Sequence, residues 1–136
     1  LVNIISKLGT PTKEQIQAMN KDYVKYNLPE VPPVPLSQIF PATTQREALH
    51  LISQLFQYDP AMRIKPLRAC AHPYFDELRE PGKKWVNGND LPPLFDFGNV
   101  ELSTEGADPE LMRRLLPART VTPLGARTPN NPYLPD

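Results

Sequence analysis

Four side chains in this chain have types and spacing that could do chemistry: His50, Arg63, Cys70 and His72. Cys70 and His72 stand two residues apart, which raises a nucleophile and base pairing. The neighbours of Cys70 argue otherwise: between Ala69 and Ala71, it is expected to be a small buried residue. His50 falls inside an amphipathic pattern and is expected at a surface or boundary. There is no His-x-x-x-His or paired-Cys metal spacing, no Gly-x-Ser-x-Gly elbow and no Gly-rich phosphate loop, so catalysis by this chain alone is not expected. Arg63 follows a turn between two apolar helices. A guanidinium desolvated there needs a carboxylate, because an unpaired buried charge is costly; simple exposure is the equal alternative.

The elements that position these residues are helical. Ala48, Leu49, Ile52, Leu55 and Phe56 repeat at three- and four-residue spacing, with Gln45, Arg46, Glu47 and Gln54 opposite, predicting a core helix over 44–58. Asp59-Pro60 supplies a cap and a first-turn proline for a tight turn ending at Arg63. Pro66 opens another short helix over 67–71, which His72 and Pro73 break before Tyr74, Phe75 and Leu78 add apolar mass. Upstream, Leu1, Val2, Ile4, Ile5 and Leu8 form a helical pattern that stops at Gly9. Thr12 and Gln15 make a capping box for a following short helix bearing Ile16 and Met19.

Between Asn20 and Pro41 the prolines at 29, 32, 33 and 35 exclude a regular helix or central strand. Tyr23, Tyr26 and Phe40 in the same stretch predict an ordered loop packed on something, with a helical turn near 36–40. After Arg79 the pattern weakens through Pro81, Gly82, Gly88 and Pro92-Pro93, with Leu94, Phe95 and Phe97 as an anchoring cluster. Asp108 and Pro109 start a last helix bearing Leu111, Met112, Leu115 and Leu116. The fold class is therefore all-α. The expected organisation is a helical unit over 1–79, an extension packed on it over 80–117, and an extended tail over 118–136.

Composition narrows the function. The 136 residues hold 15 Lys+Arg and 15 Asp+Glu, and this neutral balance disfavours nucleic-acid binding, which needs a basic stripe to displace counterions. The 18 prolines far exceed an average usage of about 5%, so much of the chain is loop. No apolar run approaches the ~18 residues of a membrane span, and no membrane contact is expected. The single Cys70 cannot make an internal disulfide, which suggests a reducing compartment. The chain opens inside a helical pattern without a cap, a secretory leader or a Met, as a fragment would.

Several strings together carry a resemblance. Leu8-Gly9-Thr10-Pro11-Thr12 after an apolar helix, the Pro-rich insert, Tyr58-Asp59-Pro60-Ala61-Met62-Arg63 and Ala69-Cys70-Ala71-His72-Pro73-Tyr74-Phe75 resemble the end of a eukaryotic protein kinase C-terminal lobe. The Leu-Gly-Thr-Pro element and the insert are similar to the group holding the cyclin-dependent and mitogen-activated kinases. Leu1-Val2-Asn3-Ile4-Ile5, Thr10 to Ile16, Phe75-Asp76-Glu77-Leu78-Arg79, Asn87-Gly88-Asn89-Asp90 and Pro93-Leu94-Phe95-Asp96-Phe97 narrow it to the glycogen synthase kinase 3 family. The resemblance covers nearly everything to about Pro117; from Arg119 onward no pattern matches.

The resemblance implies the C-terminal helical-lobe portion of an α+β two-lobed kinase. Such an enzyme transfers the ATP γ-phosphate to Ser/Thr of protein substrates that are often already phosphorylated. Its Gly-rich loop, its ATP-contacting Lys, its catalytic-loop Asp and Asn, and its metal-binding Asp would lie upstream of Leu1. ATP and Mg would accordingly bind there, and no catalytic, cofactor or metal residue falls in this chain. Arg63 matches the family Arg that pairs with the Glu ending the activation segment. The implied partners are the rest of the kinase domain, protein substrates, and a scaffold or inhibitor helix seated in a groove. Leu1, Val2 and Ile5 would form one wall of that groove and Tyr23, Tyr26 and Leu28 the other. The family typically has Phe at the positions of Tyr26 and Leu28, a cation at that of Asn27, and Thr at that of Lys65. The implied location is the cytoplasm, with the nucleus left open. The alternative is a stand-alone, non-catalytic helical interaction module.

Overall fold

A computed structural model describes residues 2–22, 28–104 and 108–116. The described residues are helical and contain no strand; an isolated antiparallel bridge joins Lys84 and Asp90. The chain divides into two compact units, 1–77 and 78–136. The tail over 118–136 lies outside the described residues, as do Leu1, Tyr23 and Tyr26.

In the first unit, α1 (Val2–Leu8) ends where Gly9 takes φ +80, the left-handed conformation that a helix C-terminus favours. The next helix, α2 (Lys13–Met19), begins at a complete capping box. The Gln15 N–H donates to Thr12 Oγ1 at 3.2 Å, and the Thr12 N–H donates to Gln15 Oε1 at 2.9 Å. Two of the N–H groups that a helix start leaves unpaired are thus satisfied. The predicted helical turn is α3 (Leu36–Ile39), which packs on α4 (Arg46–Leu55).

The α4 helix is shorter than its apolar pattern. At its start the Thr44 N–H donates to Pro41 O at 2.9 Å, closing a turn before the helix begins. At its end Phe56 leaves helical geometry at φ −88, ψ 56. The buried face also differs from the expected one. Leu51 is buried and Ala48, Leu49 and Ile52 are half-buried. Leu55 and Phe56, expected in the core, remain 39% and 52% exposed. Leu51 sits one turn from Ala48 on the same face, whereas Leu55 and Phe56 lie where the helix ends and its packing with it.

The Asp59-Pro60 turn forms as predicted: Asp59 Oδ1 accepts from the Ala61 N–H at 2.8 Å, and Asp59 O accepts from the Met62 N–H at 3.1 Å. It leads to α5 (Pro66–Cys70), with Pro66 in the first turn and Lys65 as an N-cap whose side chain makes no cap bond. A 3-10 helix follows over Pro73–Arg79. Leu67 and Ala71 are buried one turn apart and join Ile5 and Leu51 as the unit's core. Cys70 is exposed, which corrects the expectation of burial. It stands about 100° round the helix from Ala71, so the alanines beside it do not share its face.

In the second unit, α7 (Pro109–Leu115) is capped as predicted: Asp108 Oδ1 accepts from the Glu110 and Leu111 N–H groups at 3.1 and 3.2 Å. Leu111 and Leu115 are buried. A further short helix, α6 (Asn99–Ser103), has no counterpart in the sequence reading. Its start is held by the Gly98 N–H donating to Glu101 Oε2 at 2.6 Å. Phe95 and Phe97 are half-buried, and Leu94 is exposed.

Candidate functional site

The first unit is organised around the Leu8-Gly9-Thr10 step. Gly9 closes α1 through its N–H to Ile5 O at 2.9 Å, and the following residue captures the Pro-rich loop. The Thr10 N–H donates to Val31 O at 2.9 Å, and the Val31 N–H donates to Thr10 Oγ1 at 2.9 Å. Thr10 Oγ1 also donates to Pro29 O, and the Val34 N–H donates to Lys7 O at 3.0 Å. Prolines cannot supply the donors that a loop needs to fasten itself, so the fastening comes from Val31, Val34 and the Thr10 hydroxyl. Pro33 then sits so close that a Cβ on Gly9 would lie 2.7 Å from its nitrogen.

From the far end of α4, the Tyr58 hydroxyl donates to Gly9 O at 2.7 Å. Desolvation pushes the Tyr58 pKa up from its ordinary value, so the neutral, donating phenol is the form the fold selects. This bond ties the turn after α4 to the end of α1 and frames an apolar cavity of about 710 Å³. Ile4, Leu8, Ile16 and Met19 line it from α1 and α2, Leu28 from the loop, and Leu55, Phe56 and Tyr58 from the end of α4. The exposed apolar residues at the end of α4 therefore share one concave surface with α1 and α2.

Arg63 also lines this cavity. Its Nη2 and Nε both donate to Gln57 O, at 2.9 and 3.3 Å. Two of its five N–H donors are used, and no carboxylate pairs with it among the described residues. The result is an anchored guanidinium beside an apolar hollow, a setting suited to a carboxylate arriving on an apolar segment. The Glu14 carboxyl, at the start of α2, is held below its usual range by a hydrogen bond from its own backbone and then by the Thr12 hydroxyl.

Of the residues expected to wall a docking groove, Leu28 is half-buried and lines the cavity. Val2 is 80% exposed, while Ile5 is 4% exposed and belongs to the core. On α1 it is Ile4 and Leu8, four residues apart and hence on one face, that line the cavity. That they share this cavity with Leu55 and Phe56 does not follow from the sequence pattern, which puts both of the latter in the core.

The two histidines lie together. His72 is buried, and its Nε2 is 2.7 Å from His50 Nδ1 on α4. His72 Nδ1 accepts from the Tyr74 N–H at 3.2 Å, so the ring proton of a neutral His72 sits on Nε2 and is donated to His50. His50 then carries its own proton on Nε2, 3.5 Å from the Gln54 side-chain nitrogen. The Gln54 oxygen is meanwhile buried without a partner; turning the amide over gives the His50 N–H an acceptor. The pair stitches α4 to the start of the 3-10 helix. No group of three or more His, Cys, Asp or Glu is arranged for a metal among the described residues. Nor is any helix there long and apolar enough to cross a membrane.

No family model matches the chain.

Proposed function

We propose that this chain is the end of the helical lobe of a Ser/Thr protein kinase of the glycogen synthase kinase 3 family. The observation that carries the reading is the position of Arg63, anchored on the Gln57 carbonyl with no carboxylate partner among the described residues and lining an apolar cavity with α1, α2 and the end of α4. In a kinase lobe the segments filling such a hollow would come from the preceding part of the domain, and the Glu ending the activation segment would reach Arg63. The chain's contribution is then architectural. It holds the floor under the substrate-binding segment, while ATP, magnesium and the transferred phosphate are handled by residues upstream of Leu1. The Thr10 clamp on Pro29 and Val31 keeps Leu28 in place for a scaffold or inhibitor helix, the docking role that the family resemblance suggests.

The cavity favours a second reading, a stand-alone interaction module that accepts a partner's apolar helix. The two readings separate in one experiment. The chain is co-expressed with the catalytic half of a kinase of this family and the complex is purified. The kinase reading expects a stoichiometric complex that transfers phosphate to a pre-phosphorylated peptide, with no transfer by either half alone. A folded chain that refuses the catalytic half supports the module.

A further inference from the structure

In the second unit, residues 84–90 form a closed turn around the chain's one Asn-Gly step, Asn87-Gly88. Lys84 Nζ and Asp90 Oδ1 are 3.0 Å apart at its base. Inside, the Trp85 N–H donates to Asn89 O and the Gly88 N–H to Trp85 O, both at 2.8 Å. Asn87 is exposed, and its Oδ1 accepts from the Asn89 N–H at 3.1 Å. Gly88 holds φ +84, and nothing lies within 4 Å of the place a Cβ would take.

We infer that Asn87 is a self-modification site, converted without an enzyme to aspartate and isoaspartate. The Gly88 backbone nitrogen gives up its proton to solvent and attacks Asn87 Cγ. The new N–Cγ bond forms as the Cγ–Nδ2 bond breaks, and Nδ2 leaves with a proton as ammonia. Water then opens the cyclic imide at either carbonyl. Opening at Cγ gives aspartate, and opening at the backbone carbonyl gives isoaspartate, whose chain runs through the side-chain carbon. The net change is amide plus water to acid plus ammonia.

Three features of the turn favour the step. Gly88 has no side chain to shield its nitrogen, and the space around it is open. The Asn89 N–H on Oδ1 folds the side chain back toward the peptide whose nitrogen attacks it. The same donor polarises Cγ and meets the charge that grows on Oδ1 in the tetrahedral intermediate, as an oxyanion-hole donor does. The opposing feature is the bond from the Gly88 N–H to Trp85 O, which must open first, so the rate follows the opening of the turn. The product matters locally: it adds a negative charge to a chain of zero formal net charge. In the isoaspartate form it also lengthens the backbone between Trp85 and Asn89 and breaks their pairing. The exposed Trp85 and Val86 at this tip would be displaced.

The full chain is incubated in heavy-oxygen water at mildly alkaline pH, digested, and the peptide spanning 84–90 is read by mass spectrometry. Asn3, Asn89 and Asn99, none followed by glycine, serve as internal references. The expected result is heavy oxygen at position 87 at least an order of magnitude faster than at the references. It should appear as two isomeric peptides, one of them a substrate for an isoaspartate-directed methyltransferase. Gly88→Ala slows the conversion by an order of magnitude, and Asp90→Asn, which loosens the base of the turn, speeds it severalfold. Labelling at Asn87 no faster than at the references, or a rate indifferent to Gly88→Ala, overturns the assignment.

Discussion

The Tyr58 hydroxyl donates to the carbonyl of Gly9 at 2.7 Å, across 49 residues of sequence. It is the polar tie between the end of α1 and the turn after α4. It also explains why α4 stops early: were the helix to continue through Tyr58, as its apolar pattern predicts, the phenol would be carried elsewhere and Gly9 O would lose its partner.

Tyr58→Phe should therefore destabilise the chain by about 1 kcal/mol, the usual net worth of one hydrogen bond, in urea unfolding at neutral pH. The Tyr58 pKa is raised above its ordinary value of 10.0 by desolvation, so its ionisation opposes folding. That contribution is fully present below pH 10.0 and is lost as pH rises through the higher folded value. The wild-type chain should lose stability over that alkaline window faster than Tyr58→Phe does. Parallel stability curves for the two proteins above pH 10.0 would contradict the assignment.

Gly9→Ala should cost more than Tyr58→Phe. The backbone holds φ +80, and the added Cβ would meet the Pro33 nitrogen at 2.7 Å, backbone that cannot rotate away. Strain of this kind costs about 1–3 kcal/mol before the clash is counted. The loop over 28–35 should also loosen, seen as faster amide exchange at Val31 and Val34. Unchanged exchange there would show that Gly9 does not hold the loop.

His50→Ala removes the partner at 2.7 Å from buried His72 Nε2 and should cost about 1–3 kcal/mol. Nitrogen-detected spectra of the wild-type chain should place the proton that is shared between the rings on His72 Nε2. A proton on His72 Nδ1 would contradict the donor order given by the Tyr74 N–H.

The parts of this fold legible in the sequence are those set by local chemistry. Thr12 with Gln15, Asp59 before Pro60, Pro66 and Asp108 each satisfy or forgo backbone donors within a few residues, and each predicted turn or helix start stands where they put it. What sequence could not give depends on distant partners. The limits of α4 are set by the Pro41 turn and by Tyr58 reaching Gly9. The exposure of Cys70 follows from Leu67 and Ala71 taking the buried face of α5. The short α6 starts at a Gly98 N–H that donates to the Glu101 side chain, a local cap with no apolar period to announce it. In the candidate site, Arg63 stands out by its place after a turn and Leu28 by the family resemblance, and both line the cavity. That Ile4 and Leu8 share a cavity with Leu55 and Phe56 depends on how α1 and the end of α4 are brought together, which no local pattern encodes.

The central claim is that Arg63 and the apolar hollow beside it await the preceding part of a kinase domain. Its most direct test is the affinity of this chain for the catalytic half of a glycogen synthase kinase 3 family enzyme, measured for wild type, Arg63→Lys and Arg63→Ala. The account predicts tight binding for wild type. It predicts a loss of about 3–5 kcal/mol for Arg63→Ala, the cost of stranding a buried carboxylate, and an intermediate loss for Arg63→Lys. It also predicts that phosphate transfer to a pre-phosphorylated peptide falls in step with the fraction bound. Absence of binding by the wild-type chain, or binding and transfer that ignore both substitutions, would contradict it.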